Sequence, residues 1–148
     1  MAVTYLQLER LLPVGEVVIV NANAPLVFDT IVSSNGLGTQ IDYDTETGII
    51  TFNQEGYHYI DWFVAPQSGL TTDGSNWAIQ TSISGLNLIG SSHTKVAITT
   101  GFAIFNTQSG ETAKLVNVSD GPIHLSQAVK SKAGLVVYGV GVVNLAPG

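Results

Sequence analysis

Clusters of turn-forming residues interrupt this sequence at short intervals and constrain its fold more than any other feature. The chain has 16 glycines and 5 prolines, spread along 148 residues. Short runs rich in Val, Ile, Thr and aromatic residues lie between the clusters, a pattern typical of an all-β sandwich or barrel. The sequence therefore predicts an all-β protein whose turns fall at 33–38, 44–48, 66–76, 84–87, 107–111 and 119–122.

Helical periodicity is nearly absent from the runs between these turns. One stretch, 5–12, has apolar residues spaced for a short amphipathic helix that Pro13 would end, and an extended arm is the alternative. No linker, internal repeat or low-complexity tract divides the remainder. We expect an N-terminal arm or short helix at 1–13 and one domain at 14–148. The predicted strands are 17–20, 26–32, 49–53, 57–65, 76–84, 95–105, 112–118, 122–126 and 135–143.

Some of these strands are apolar on both faces. Because successive side chains of a strand point to opposite sides, a strand with one face exposed to solvent alternates apolar with polar residues. Strands of this one-faced kind are predicted at 76–84, 95–105 and 122–126. Strands apolar on both faces are predicted at 17–20, 57–65, 112–118 and 135–143. Since only one face of each sheet in a sandwich meets the core, the two-faced strands need a second cover. Another subunit is the expected cover; a closed barrel or overlying loops are the alternative.

The charge balance excludes some partners. The chain carries 11 acidic against 5 basic residues, a net charge of -6, and only 11% of its residues are charged. Ordinary globular domains have about 25%. Scattered basic residues on an acidic chain offer no footprint for nucleic acid or an anionic membrane. No apolar run is long enough for a membrane span, and the N-terminal residues lack the order of a secretory signal.

Catalytic motifs are missing from the sequence. The histidines at 58, 93 and 124 show no metal-binding spacing, there is no Gly-x-Ser-x-Gly elbow, and there is no cysteine. We therefore expect no enzymatic activity and no cofactor. Asp61, between Ile60 and Trp62, is the one acid expected to be buried, where it would accept hydrogen bonds in the core or at a subunit interface.

One acidic segment is a weak candidate for calcium. Asp42, Asp44 and Glu46 would lie on one side of an extended chain, and hard oxygen ligands suit calcium. An EF-hand is excluded because its sixth and twelfth positions are Thr47 and Asn53 rather than Gly and Glu. The favoured interpretation is an acidic hairpin turn closed by a glycine. Asp73, in the loop at 66–76, is a second and weaker calcium candidate.

Several short motifs give the chain a family resemblance over about residues 14–143. They are Thr-Gly-Ile-Ile-Thr-Phe at 47–52, a turn ending at Gly56, Tyr-His-Tyr-Ile-Asp-Trp at 57–62, Gly-Phe-Ala-Ile at 101–104, Leu-x-Asn at 115–117 and Leu-Val-Val-Tyr at 135–138. The sequence thereby resembles the C-terminal globular trimerising domain of bacterial collagen-like spore-surface (exosporium) glycoproteins. That domain is a relative of the tumour necrosis factor and complement globular-head superfamily.

The resemblance implies a ten-strand antiparallel jelly roll that forms a tight homotrimer. It implies a non-enzymatic structural module at a spore surface or in the extracellular space. The family's inner sheet contains the strands called A, C, F and H, which would correspond to the four two-faced runs. Tyr57, Tyr59, Phe63 and Tyr138 are the predicted trimer-interface residues. The family's collagen-like stalk has no counterpart within the given residues, and residues 1–12 match nothing in the family.

A recognition module is the alternative function. A lectin-like jelly roll or a phage receptor-binding head would bind glycans or a receptor through the loops at 66–76 and 84–92, with calcium as an optional ligand. Exposed aromatic residues near loop tips would support sugar stacking. However, Trp77 falls on the apolar face of its predicted strand and Trp62 falls in the middle of another.

Overall fold

The computed structural model describes residues 3–11 and 18–141, and those residues form thirteen β-strands and no helix. The strands are β1 (Val3–Leu11), β2 (Ile19–Val20), β3 (Thr30–Ser34), β4 (Ile41–Tyr43), β5 (Ile50–Phe52), β6 (Gly56–Val64), β7 (Pro66–Gly69), β8 (Ser75–Thr81), β9 (Asn87–Ser92), β10 (Thr99–Thr107), β11 (Thr112–Asn117), β12 (Ile123–Leu125) and β13 (Ser131–Gly141). The count exceeds the expected ten partly because β2, β7 and β12 are separate pieces of two to four residues.

The strands form two five-stranded antiparallel sheets and one small sheet. The first sheet has the order β10, β6, β13, β1, β3, and the second has the order β4, β5, β11, β8, β9. The small sheet has the order β2, β12, β7. One hydrophobic core lies between the two large sheets and contains both tryptophans, Trp62 from β6 and Trp77 from β8. This is the predicted all-β sandwich.

Strand β6 shows how the sequence pattern produces the layers. Its residues at even positions, from Gly56 to Val64, are buried, while Tyr57 and Asp61 at odd positions are exposed. Trp62 lies directly beneath Gly101 of the adjacent β10, where any Cβ would collide with the indole ring. The missing side chain at residue 101 therefore lets the largest core residue fit under the edge strand.

The stretch 5–12 is not helical where it is described. Val3–Leu11 is a strand that pairs with β13 on one side and β3 on the other. Leu6 and Leu8 are fully buried, whereas Tyr5 is exposed, so the apolar residues follow the strand period of two. The helical alternative was wrong because pairing with two neighbouring strands outweighs a weak local helical pattern.

Two of the four strands predicted as two-faced do not lie in the first sheet, so the single inner sheet expected for all four was wrong. Ile19 and Val20 form part of the small sheet, and β11 lies in the second sheet rather than the first. Val116 of β11 is buried within the chain itself, beside a bridge to Pro25. Its second apolar face is thus covered by the chain's own segment, one of the alternatives left open by the sequence.

The run at 95–105 was also assigned to the wrong kind of strand. Its strand, β10, begins at Thr99, so Val96 and Ile98 lie in an exposed loop. Within β10, Ala103 and Phe105 face the core, while Phe102 and Ile104 are exposed on the opposite side. This strand is therefore two-faced.

Among the described residues, two charged side chains, Glu111 and Lys132, are fully buried, and each is hydrogen-bonded to loop residues. Glu111 accepts hydrogen bonds from the backbone N–H of Ser84 at 2.7 Å and of Gln108 at 3.0 Å, and from the Ser84 hydroxyl at 3.1 Å. Burial pushes the pKa of Glu111 upward, but these hydrogen bonds outweigh it and lower the pKa below the usual value. The Lys132 ammonium donates to the carbonyl oxygens of Ser126 and Val129 at 2.6 and 2.9 Å.

We predict that Glu111→Gln lowers the free energy of unfolding at neutral pH by about 1.5–3 kcal/mol, the usual value of hydrogen bonds to a charged group. Because the folded pKa is depressed, the carboxylate stabilises the fold above its ordinary pKa of 4.5, and this contribution is lost as the pH falls below that value. Urea unfolding at pH 7 and pH 3.5 should show the difference between wild type and variant shrinking. Glu46→Gln, an exposed acid, is the control, and an unchanged difference at pH 3.5 would contradict the assignment.

Candidate interaction face

The first sheet has an outer face, defined by the side chains of β1, β3, β6, β10 and β13 that point away from the core. Three tyrosines and an isoleucine form one row across it. Ile104 pairs with Tyr59, Tyr59 with Tyr138, and Tyr138 with Tyr5. Side chains opposite each other on neighbouring strands lie close enough to contact. The row is therefore a continuous apolar and aromatic stripe across four strands.

A second row runs parallel to the first and contains a carboxylate. Phe102 pairs with Asp61, Asp61 with Val136, and Val136 with Gln7. Phe102 is 73% exposed and Ile104 of the first row is 68% exposed, both high for large apolar side chains in a folded chain. Contiguous exposed apolar surface of this kind marks an interaction site.

A third row contains a hollow. Phe63 pairs with Gly134, and Gly134 pairs with Glu9. Because residue 134 has no side chain, the Phe63 ring lies over it and a cavity of about 200 Å³ remains, lined in part by Gln7, Glu9 and Asp61. The outer face is thus ridged rather than flat, a shape that can interlock with a neighbouring surface.

The four predicted interface residues all point outward from this sheet. Tyr57, Tyr59 and Phe63 follow one another at alternate positions of β6, and Tyr138 is opposite Tyr59. Tyr57 is 64% exposed. The alternation of β6 predicts that Tyr57, Tyr59 and Phe63 share one face, and the structure places Tyr138 on that face as well. Contact of these residues with another subunit stays a prediction.

Sequence reasoning missed the two most exposed members of the face, Phe102 and Ile104. The run at 95–105 was assigned as one-faced from the spacing of Val96 and Ile98, which lie outside the strand. A signal was present, since Phe102 and Ile104 alternate with Ala103 and Phe105 and make the run apolar on both sides. Tyr5 was missed because its stretch was compared with a helix.

Asp61 does not lie in the core of this chain, so the core alternative was wrong, and its burial at a subunit interface stays a prediction. It is at an odd position of β6 and is exposed on the outer face, where its Oδ2 accepts a hydrogen bond from the Tyr59 hydroxyl at 3.3 Å. Partial desolvation, and then the adjacent Asp61 carboxylate, raise the pKa of Tyr59. The strand phase, which flanking apolar residues do not reveal, places Asp61 away from the core.

The calcium candidates act as turn residues. Asp44 Oδ1 accepts the backbone N–H groups of Glu46 and Thr47 at 2.8 and 3.3 Å, and these bonds lower the pKa of Asp44. Asp42 accepts from Gly38 N and Asn53 Nδ2. Gly48 has a positive φ of 77° and closes the hairpin between β4 and β5. The segment is therefore an acidic hairpin turn closed by a glycine, as the sequence predicts.

The remaining metal and recognition candidates are dispersed. Asp73 Oδ1 accepts from Asp120 N in a different loop, and no group of three or more His, Asp or Glu in residues 3–11 and 18–141 is arranged to hold a metal. His58 is buried, with Nδ1 2.9 Å from Thr107 Oγ1, and burial lowers its pKa. Trp62 and Trp77 are both buried, so neither can stack on a sugar.

Comparison with solved structures identifies the fold. The chain is similar to the globular domain of zebrafish complement 1qA protein (TM-score 0.63, 13% identity, 94% of this chain and 97% of that one). It is also similar to murine APRIL (TM-score 0.66, 10% identity, 94% and 100%) and to Eiger TNF from S. frugiperda (TM-score 0.60, 14% identity, 94% and 92%). No protein-family model matches the sequence, and no curated protein matched it.

The fold is therefore the antiparallel jelly roll of tumour necrosis factor and complement globular-head proteins, as the resemblance implied. The spore-surface context stays a prediction. No helix that could cross a membrane occurs in the described part of the chain.

Proposed function

We propose that this chain is a non-enzymatic structural module that assembles as a homotrimer through the outer face of its first sheet, at the exterior of a spore or cell. The observation that carries the proposal is the aligned row of Ile104, Tyr59, Tyr138 and Tyr5 on a face that none of the described residues covers. A sheet stabilises a fold by burying its apolar surface, and a second apolar face needs a second layer.

A further copy of the same chain is the occupant that the observations favour. The jelly-roll fold and the motifs at 47–62 and 135–138 resemble a trimerising domain. Every copy carries the same apolar face, so closed threefold symmetry would cover all three faces at once. Obligate interfaces of this kind bury more than about 2,000 Å² and resemble a protein core.

The location and structural role rest on the same resemblance. Spore-surface domains of this type end long surface glycoproteins, and a trimer closed by aromatic rows would join three such chains. The low charge content, 11%, is consistent with a chain whose exterior is partly covered in an assembly. Glycan or receptor binding through the loops has no exposed tryptophan to support it.

We predict that the solution mass is three times the 15.6 kDa of one chain. Light scattering coupled to size exclusion measures this directly. A stable monomer would overturn both the trimer and this account of the outer face.

We predict that Ile104→Asp converts the trimer into a folded monomer. Residue 104 is exposed in the single chain, so the fold should survive, but an unpaired charge in an apolar interface costs several kcal/mol, enough to weaken association by more than about 100-fold. Ile83→Asp is the matched control, because Ile83 is a 50% exposed isoleucine in the turn between β8 and β9 of the second sheet. Both masses are compared by sedimentation, with circular dichroism to check the fold. Equal masses for the two variants would contradict the assignment.

Tyr59→Asp tests the centre of the same row. Tyr59 lies between Ile104 and Tyr138, outside the core, so we expect a folded monomer rather than an unfolded chain. Size exclusion and circular dichroism report the two properties separately. A well-folded trimer from this variant would count against the interface.

A further inference from the structure

Asp61 lies in the middle of the apolar outer face. Phe102 and Val136 are opposite it on the two adjacent strands, and Tyr59 and Phe63 are the nearest outward residues along β6. Its carboxylate is exposed in the single chain and accepts a hydrogen bond from the Tyr59 hydroxyl. Any surface that covers the aromatic row also removes this carboxylate from water.

Among the described residues, no cationic side chain occupies an outward position of the outer face, where it could pair with Asp61. Besides Asp61, the titratable side chains of its strands are Tyr5, Glu9 and Arg10 of β1, Tyr57, His58 and Tyr59 of β6, and Lys132 and Tyr138 of β13; β3 and β10 have none. Arg10 is paired with the buried Ala133, so it occupies an inward position of β1, and its guanidinium lies 3.8 Å from the Asp29 carboxylate. His58 is buried on the core side of β6. The Lys132 ammonium is buried and donates to the carbonyls of Ser126 and Val129. Along these strands in the described residues, the other carboxylate, Glu9, adds negative charge rather than compensating it.

We propose that the homotrimer takes up a proton at the Asp61 carboxyl of each chain as it forms. The inference rests on the proposed function, because it needs the outer face to be covered by another copy. Burying an ionised carboxylate without a counter-charge is costly, whereas a neutral carboxyl is cheaper to bury and can donate a hydrogen bond. The tyrosine hydroxyls of the same face supply acceptors for that hydrogen bond.

Proton uptake gives the assembly a pH dependence of known sign. The assembled state binds more protons than the separate chains, so association strengthens as the pH falls and weakens as it rises. With three protons per trimer, the association constant changes by up to about a thousandfold per pH unit. The fold itself has the opposite dependence, because burial lowers the pKa of His58, and its contribution to stability falls as the pH drops below the ordinary value of 6.5.

The test compares the wild-type 148-residue chain with its Asp61→Asn and Glu46→Gln variants by sedimentation over a dilution series between pH 5.5 and 8.5. Asn has the shape of Asp without its charge, and Glu46→Gln removes one charge from the β4–β5 turn, away from the outer face. Where the trimer is too tight to dilute apart, the urea concentration that splits it is measured instead. Circular dichroism confirms that each chain stays folded.

We expect the wild-type and Glu46→Gln trimers to weaken as the pH rises, and the Asp61→Asn trimer to be tighter at pH 8.5 and nearly independent of pH. A wild-type trimer with no pH dependence, or an Asp61→Asn variant that dissociates, would overturn the proton uptake. In either case Ile104→Asp, still monomeric beside a trimeric wild type, would leave the proposed function standing. Monomers of the wild type at every pH would overturn both.

Discussion

Strand β6 has large side chains on both of its faces, and the organisation of the molecule follows from that constraint. Its inner side places Trp62 in the core beneath Gly101, and its outer side leaves Tyr57 exposed and Tyr59 partly exposed. Pairing with β10 and β13 over its full length extends both patterns sideways. One sheet thus forms one side of the core and, on its other side, an apolar surface that the described residues of the chain leave uncovered.

Charged groups are stabilised in different ways in the interior and on the outer face. Buried Glu111 and Lys132 are satisfied by hydrogen-bonding groups of nearby loops, so each contributes to the position of a loop without needing an opposite charge. Asp61 has only a tyrosine hydroxyl, and water supplies the rest of its solvation in the single chain. Covering the outer face removes that water. Lowering the pH therefore has two opposite effects. It decreases the stability of the fold through Glu111 and His58, and it strengthens the proposed association of chains through Asp61.

Part of the candidate face followed from the sequence and part did not. The alternation of aromatic and aliphatic residues in 57–65 predicted two faces, and Tyr57, Tyr59 and Phe63 do share one of them. The same reasoning failed for Phe102 and Ile104, because an exposed loop and a strand were treated as one run, and the phase was taken from the loop. It failed for Tyr5 because a short stretch fits helical and extended patterns equally well until its partners are known.

The sequence by itself determined the all-β class, the turns that divide it and the two-sided character of β6, since these depend on residues close together in the chain. Only the tertiary structure decided which strands share a sheet, because pairing joins residues as far apart as Tyr5 and Tyr138. It also decided that Val116 is covered by the chain's own segment while Ile104 is left exposed. Both are apolar strand residues with a buried apolar residue next to them in the sequence. Only the presence or absence of a covering segment distinguishes a second core layer from a surface that needs a partner.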